Sequence, residues 1–361
     1  MSFTPAERRS ALTDTLRQRI LILDGAMGTM VQKHHLQEDD YRGARFADRS
    51  LYPRDLKNNN DILTLSRPDL LTRIHEQYLD AGADIITTCT FSATAIGQHE
   101  FFHIAPPGPR GQEYYDGVLA DEALASLVRD INLAACRLCR SAADRAEERD
   151  GRPRWVAGSI GPMAVTASIS PNVSDPGYRA VNFEQLRRAY REQIIALCDG
   201  GVDILLLETI FDTLNAKACL YAIAELADEG RDIPPVIISF TITDKAGRTL
   251  SGQTVEAFWN SVRHARPLAI GINCALGADL MLPFARELAS LADCAVSMYP
   301  NAGLPDPLSP NGYQHTAEHM AGILREYAAE GLINIVGGCC GTTPDYIAAI
   351  RSAVAPYPPR P

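Results

Sequence analysis

No stretch of this sequence stays apolar for the ~18 residues that a membrane-spanning helix needs, so no span is expected. Positive charge is also scarce: Lys and Arg total 34 against 44 Asp and Glu, a net charge of −10. That balance leaves no electrostatic footprint for nucleic acid or an anionic membrane surface. Met1 to Arg19 is charged and polar, without the apolar core of a secretory signal. The nine cysteines are an odd number, too thinly spread for a disulfide scaffold, and fit a reducing compartment. The glycosylation sequon at Asn172-Val173-Ser174 therefore reads as accidental. The expectation is a cytoplasmic protein with no nucleic-acid or membrane partner.

What is present is the ordinary composition of a globular protein, 46% hydrophobic and 22% charged. A length of 361 residues allows one large domain or two ordinary ones. Thr4-Pro5-Ala6-Glu7 reads as a helix start with a capping box. Short apolar runs then recur, each long enough for a buried strand: 20–23, 84–91, 155–161, 203–209, 236–241, 268–274, 295–299 and 332–336. Helical patterns separate them. Eight strands alternating with helices predict an α/β fold, a (β/α)₈ TIM barrel with an N-terminal helix and insertions in the βα loops. The barrel is assigned to residues 1–355 and a proline-rich tail with no core to join to 356–361. Gly97 to Gly117 reads as a surface loop, longer than most βα connections.

The chemistry gathers at strand ends. Asp24 leaves the first strand into Gly25-Ala26-Met27-Gly28, as a site residue or as a turn-forming Asp that caps the next helix, and Glu208 ends the four-residue apolar run of the fourth. A carboxylate in such a place is rarely buried without a partner. Thr88 and Thr90 make the second strand's end polar, by pocket lining or by plain β propensity. The most informative stretch is Val336-Gly337-Gly338-Cys339-Cys340-Gly341. Adjacent cysteines seldom bridge each other, because their Cβ vectors diverge, but a glycine-flanked turn lets both reach one metal ion. Cys274 ends the sixth strand and can supply a third sulfur; taken alone it reads as a small buried hydrophobe. Cys136 and Cys139 sit mid-helix among Leu and Ala and read as core, and His315 and His319 as solvated or capping. The metal and acidic candidates, with Asn301, all fall on the C-terminal rim, where barrel enzymes build their sites.

Asp24 to Thr29, Asn59 to Asp61, Asp212 to Ala218, Asn273 to Gly277, Pro300 to Pro305 and Gly337 to Pro344 carry a resemblance. Together they resemble the N-terminal, homocysteine-binding barrel of cobalamin-dependent methionine synthase. The resemblance implies zinc on Cys274, Cys339 and Cys340, with Asn301 as a weak fourth ligand when substrate is absent. It implies homocysteine held by Asp24, Glu208, Thr88 and the turn amides at Gly25, Ala26 and Met27. Cys89 departs from the family's usual Asn. Ser92 and Thr209 stand where betaine-using relatives have tyrosines, which argues against betaine.

The implied activity is homocysteine S-methyltransfer forming methionine. Methylcobalamin is the implied donor, on a partner chain that binds cobalamin and folate, as in a split methionine synthase. The alternatives are a stand-alone enzyme using S-methylmethionine or S-adenosylmethionine, and a non-catalytic zinc barrel acting as a docking subunit. Three thiolates leave one position open, as in catalytic rather than structural zinc sites.

Overall fold

A computed structural model describes residues 3–104, 110–243, 246–309 and 312–361. Its eight strands are β1 (Leu21–Ile22), β2 (Ile85–Thr87), β3 (Trp155–Ile160), β4 (Ile204–Ile210), β5 (Val236–Phe240), β6 (Ala269–Gly277), β7 (Ala295–Asn301) and β8 (Ile335–Val336). They are parallel in the order β1-β8-β7-β6-β5-β4-β3-β2. A bridge from Leu23 to Ile85 closes the ring between its ends. This is the (β/α)₈ barrel that the strand count predicts. None of its helices is long and apolar enough to cross a membrane.

The two-residue period of a strand sorts side chains between two cores. Leu21, Leu23, Ile85, Trp155, Ala157, Ile204, Leu206, Ile237, Ala269 and Ile335 fill the barrel interior. Their neighbours Ile22, Ile86, Val156, Leu205, Leu207, Ile238 and Ile270 pack against the surrounding helices. Both sets are apolar, so each strand reads as a continuous run. Leu12 and Leu16 of the helix Pro5–Gln18 join the inner core. That helix plugs the N-terminal end, where the Trp155 indole N–H donates to the Arg8 carbonyl at 2.8 Å.

Polar residues just before three strands tie that end together. Asp84 accepts from the Ile22 N–H at 2.9 Å and pairs with Arg19 at 2.6 Å. Asp203 accepts from the Val156 N–H at 2.8 Å and pairs with Arg8, also at 2.8 Å. Asn334 accepts from the Val296 N–H at 2.8 Å. Each side chain caps the first free amide of a neighbouring strand, which leaves the opposite rim for chemistry.

Four local expectations change. The predicted loop from Gly97 to Gly117 contains the helices Ala95–Phe102 and Gln112–Leu119; only its Pro-Gly centre, 105–109, lies outside the described residues. Thr94 makes the first helix possible by accepting the Gly97 N–H at 2.9 Å. β2 ends at Thr87 because the Thr88 hydroxyl turns back to Thr90 Oγ1 at 2.7 Å. The helix expected from His315 starts at Ala317 behind a Thr316 cap, leaving His315 buried ahead of it and His319 exposed. The C-terminal tail is not free. Arg360 donates from its backbone to the Ile333 carbonyl at 3.0 Å, and its guanidinium reaches the carbonyls of Ala289, Ala292 and Cys294 at 2.6–3.2 Å.

Those carbonyls close the end of the helix Ala278–Leu291 and the start of β7. Arg360→Ala should leave them to water and lower stability by about 1–2 kcal/mol, since hydrogen bonds to charged groups are worth ~1.5–3 and this one is half-exposed. Urea unfolding of the variant measures the loss, and an unchanged midpoint would mean the guanidinium contributes nothing.

Candidate active site

The β6 backbone leaves its ladder at the first candidate ligand. Cys274 and Ala275 take φ of +61° and +57°, and the pairing with β7 shifts register between Asn273 and Gly277. The left-handed region disfavours both residues, and here it swings the Cys274 side chain onto the rim. Cys339 and Cys340 arrive from the turn after β8. The Cys339 N–H donates to the Pro300 carbonyl at 2.8 Å, and the Ala302 N–H to the Cys340 carbonyl at 2.9 Å, so the end of β7 holds both. Thr342 Oγ1 closes the turn on the Cys339 carbonyl at 2.6 Å. The flanking glycines are required by space: a Cβ on Gly338 would sit 2.5 Å from Thr342, and one on Gly341 2.4 Å from the Tyr313 ring.

The three sulfurs lie within 4.8 Å of one another, with Cys274 and Cys340 3.7 Å apart. Among the described residues they are the one group of three His, Cys, Asp or Glu side chains close enough to share a metal ion. The thiols of Cys274 and Cys339 and the Tyr313 hydroxyl donate to Cys340 and hold it well below the ordinary thiol range. Contact with Cys274 first, then Cys340, pushes Cys339 well above it. Cys340 is thus the sulfur readiest to give up its proton, and a cation can replace protons on all three. Three soft sulfur donors suit zinc. Asn301 ends β7 with its Oδ1 buried and without a partner among the described residues, an oxygen that a cation could take up. The donor set therefore fits the metal that the cysteine spacing suggests.

The sulfurs form one wall of a cavity of about 510 Å³, within the ~300–1,000 Å³ usual for small-molecule sites. Asp24, Gly25, Ala26, Met27, Thr88 and Glu208 line it as well. Asp24 accepts from the Thr87 N–H at 2.8 Å and from the Thr87 hydroxyl at 3.1 Å. Glu208 accepts from Ser159 Oγ at 2.5 Å. Burial pushes each carboxyl up to about 7. The Thr88 hydroxyl is already committed, accepting the Ser159 N–H at 2.9 Å, while Thr90 bonds the Ser159 carbonyl and does not line the cavity. The Ala26 N–H reaches Thr342 Oγ1 at 3.3 Å.

Several lining residues were not singled out as site residues from sequence: Ser159, Tyr299, Tyr313 and Asp61. Asp61 alone left a trace, as a charged residue after three asparagines. It is buried, accepts from the Ser92 N–H at 2.8 Å and from Gln98 Nε2 at 3.3 Å, and burial raises it to about 7. Among the described residues no Lys, Arg or His lines the cavity. The other paired features stay outside it. Cys136 and Cys139 are core, Cys139 lying 3.3 Å from the buried His75. His315 and His319 meet edge to face with ring centres 4.6 Å apart.

A carboxyl raised by burial ionises earlier in the unfolded chain than in the folded one. The folded state is therefore favoured at low pH and loses that advantage as pH rises from the ordinary carboxylate range to about 7. Asp61→Asn removes one such group and keeps an acceptor for Ser92. Thermal unfolding of the ligand-free protein between pH 5 and 8 should then show a shallower loss of stability in the variant, by up to ~1.4 kcal/mol per pH unit. Parallel curves would mean that Asp61 titrates normally.

Solved structures and a family model share features with this chain. The metallated form of the homocysteine methyltransferase MmuM from Escherichia coli is 23% identical, covers 96% of this chain and 99% of its own, and superposes with a TM-score of 0.66. Its oxidized form gives 23%, 97%, 99% and 0.67. At that identity the likeness speaks for the shared barrel. The homocysteine S-methyltransferase family model matches residues 21–354. That match runs from the first barrel strand through the last helix and takes in the thiol turn, so the chain belongs to the homocysteine S-methyltransferase family and is a methyltransferase.

Proposed function

We propose that this chain is a zinc-dependent homocysteine S-methyltransferase that forms methionine. The observation that carries the reading is the meeting of three thiols with the carboxyl groups of Asp24, Asp61 and Glu208 in one cavity that no Lys, Arg or His among the described residues lines. Asp24 and Glu208 face an amino acid's ammonium, which supplies the counter-charge that their raised pKa values call for. Ser159 and Thr87 hold those carboxylates, so the substrate is oriented by groups already set in place. The turn at Gly25, Ala26 and Met27 lies beside them.

Zinc held by Cys274, Cys339 and Cys340, with Asn301 as a further oxygen ligand, supplies the positive charge that keeps a thiol deprotonated near neutral pH. A free thiol, with a pKa near ~8.5, is mostly protonated there. In the reaction the homocysteine sulfur gives up its proton to solvent and attacks the methyl carbon. The sulfur–methyl bond forms as the methyl–donor bond breaks, and the donor leaves with the electron pair. Neither Asp24 nor Glu208 needs to move a proton.

For the donor we propose methylcobalamin brought to the rim by a separate cobalamin- and folate-binding protein, as in a split methionine synthase. The support is the set of stretches similar to that enzyme's homocysteine barrel. A second reading, a sulfonium donor such as S-methylmethionine or S-adenosylmethionine, is favoured by Asp61. Its carboxylate lines the cavity and pairs with no cation among the described residues, and a sulfonium would bring one. The cytoplasm remains the proposed compartment.

Cys340→Ala should lose both zinc, by elemental analysis, and methyl transfer; full metal content would refute the site. Glu208→Gln should keep the metal and weaken homocysteine binding by one to two decades, from ~1.5–3 kcal/mol for a charge-assisted bond. Unchanged affinity would place the ammonium elsewhere. Methyl transfer to homocysteine is then assayed with methylcobalamin, S-methylmethionine, S-adenosylmethionine and betaine in turn. Turnover on methylcobalamin supports the first reading, and full-speed turnover on a sulfonium with none on methylcobalamin replaces it with the second.

A further inference from the structure

Asn273 precedes Cys274 and is completely buried. Its Oδ1 accepts from the Thr209 backbone N–H at 3.0 Å and from Ser239 Oγ at 2.7 Å. Its Nδ2 donates to Thr209 Oγ1 at 2.7 Å and to Cys339 Sγ at 3.9 Å. A side-chain amide has two lone pairs and two N–H groups, and all four are used. The orientation follows from chemistry: a backbone N–H can only donate, so the oxygen must face Thr209 N.

The partners come from β4, β5 and the turn after β8. Both strands that the amide joins are broken at this level. Thr209 has φ +57°, and the β4–β5 register shifts between Leu207 and Ile210. The β6 break at Cys274 and Ala275 lies directly opposite in function. Backbone held in the left-handed region persists only where the surroundings over-determine it. Asn273 is what the two breaks share. One of them presents Glu208 and the other Cys274.

We infer that Asn273 is a positioning residue that locks the two breaks together and fixes the Glu208 carboxylate and the Cys274 and Cys339 sulfurs as one rigid unit. It touches neither substrate nor metal. The inference rests on the thiol cluster being the metal site, and it adds that the metal arm and the amino-acid arm of the cavity are set by a single side chain. Asn273 would act as outer-shell hydrogen-bonding partners of metal ligands do, orienting the ligand and tuning it.

The test uses cobalt(II) in place of zinc, because sulfur-to-cobalt charge-transfer absorption reports on the thiolates directly. Asn273→Asp keeps both accepted bonds and loses both donated ones. It should bind cobalt about 10- to 100-fold more weakly in chelator competition, shift the charge-transfer band and raise the homocysteine KM of the zinc-loaded protein. Ser239→Ala removes one accepted bond and spares the contact with Cys339, so its band should match the wild type; an equal shift there would overturn the assignment to the amide N–H. A residue that merely stabilised the barrel would lower the melting temperature and leave affinity and band unchanged in folded protein. That result for Asn273→Asp overturns the inference. Should that variant not fold, Thr209→Val, which removes the acceptor of the other N–H, decides in the same way: a smaller shift of the same sign supports it and an unshifted band overturns it. Wild-type protein that takes up no cobalt would instead overturn the metal reading itself.

Discussion

Three sulfurs within 4.8 Å are the constraint on which the rim of this barrel depends. Thiolates that close repel one another, so the cluster cannot lose all of its protons unless a cation joins it. The sulfurs also come from strands that are not neighbours. β7 stands between β6 and β8, and it is the backbone around its end, Pro300 to Ala302, that holds the β8 turn in place. Reaching across β7 requires β6 to leave its ladder at Cys274, in a conformation that disfavours any residue with a Cβ by about 1–2 kcal/mol. The fold tolerates this because Asn273, one residue earlier, is fully satisfied on four sides.

The other end of the barrel makes that tolerance possible. Leu12 and Leu16 fill the bottom of the inner core, and Asp84, Asp203 and Asn334 each cap a neighbouring strand there. The C-terminal tail adds a clasp through Arg360. Stability is concentrated where no chemistry occurs, so strained backbone and desolvated carboxylates can accumulate at the opposite rim. A site that buries Asp24 and Asp61 and half-buries Glu208 without a cation would be a liability in a fold with less in reserve.

The strands were legible because a buried parallel strand leaves an unbroken apolar run, and the site was legible where a residue broke such a run. Asp24, Glu208 and the paired cysteines contradict their surroundings chemically, and that contradiction is visible in one dimension. Asn273, Ser159 and Tyr299 contradict nothing. Ser159 and Tyr299 look like ordinary strand residues, and Asn273 was noticed only as part of a familiar stretch; their work is done across strands distant in sequence, which no local pattern encodes. The two helices inside 95–119 were hidden for the opposite reason. The proline- and glycine-rich composition of the centre hid the helical pattern on either side of it. Arg360 was lost in a tail whose composition suggested nothing to pack against.

The charge of the cavity gives the last step. Its carboxylates are raised by burial, and among the described residues nothing basic answers them. Such a cavity disfavours anions and is completed by what enters it. A zwitterionic amino acid brings one ammonium, which two adjacent carboxylates can share, and a metal ion answers the sulfurs. Asp61 is left over. It lies on the wall formed by the stretch after β2 rather than beside Ser159, where Glu208 sits. The remaining positive charge must therefore come either from a second substrate or from protonation of Asp61 itself, and these two states make opposite demands on pH. A cationic donor works best where Asp61 is ionised, at and above pH 7, whereas a donor that needs no countercharge is served equally well by the neutral acid below it.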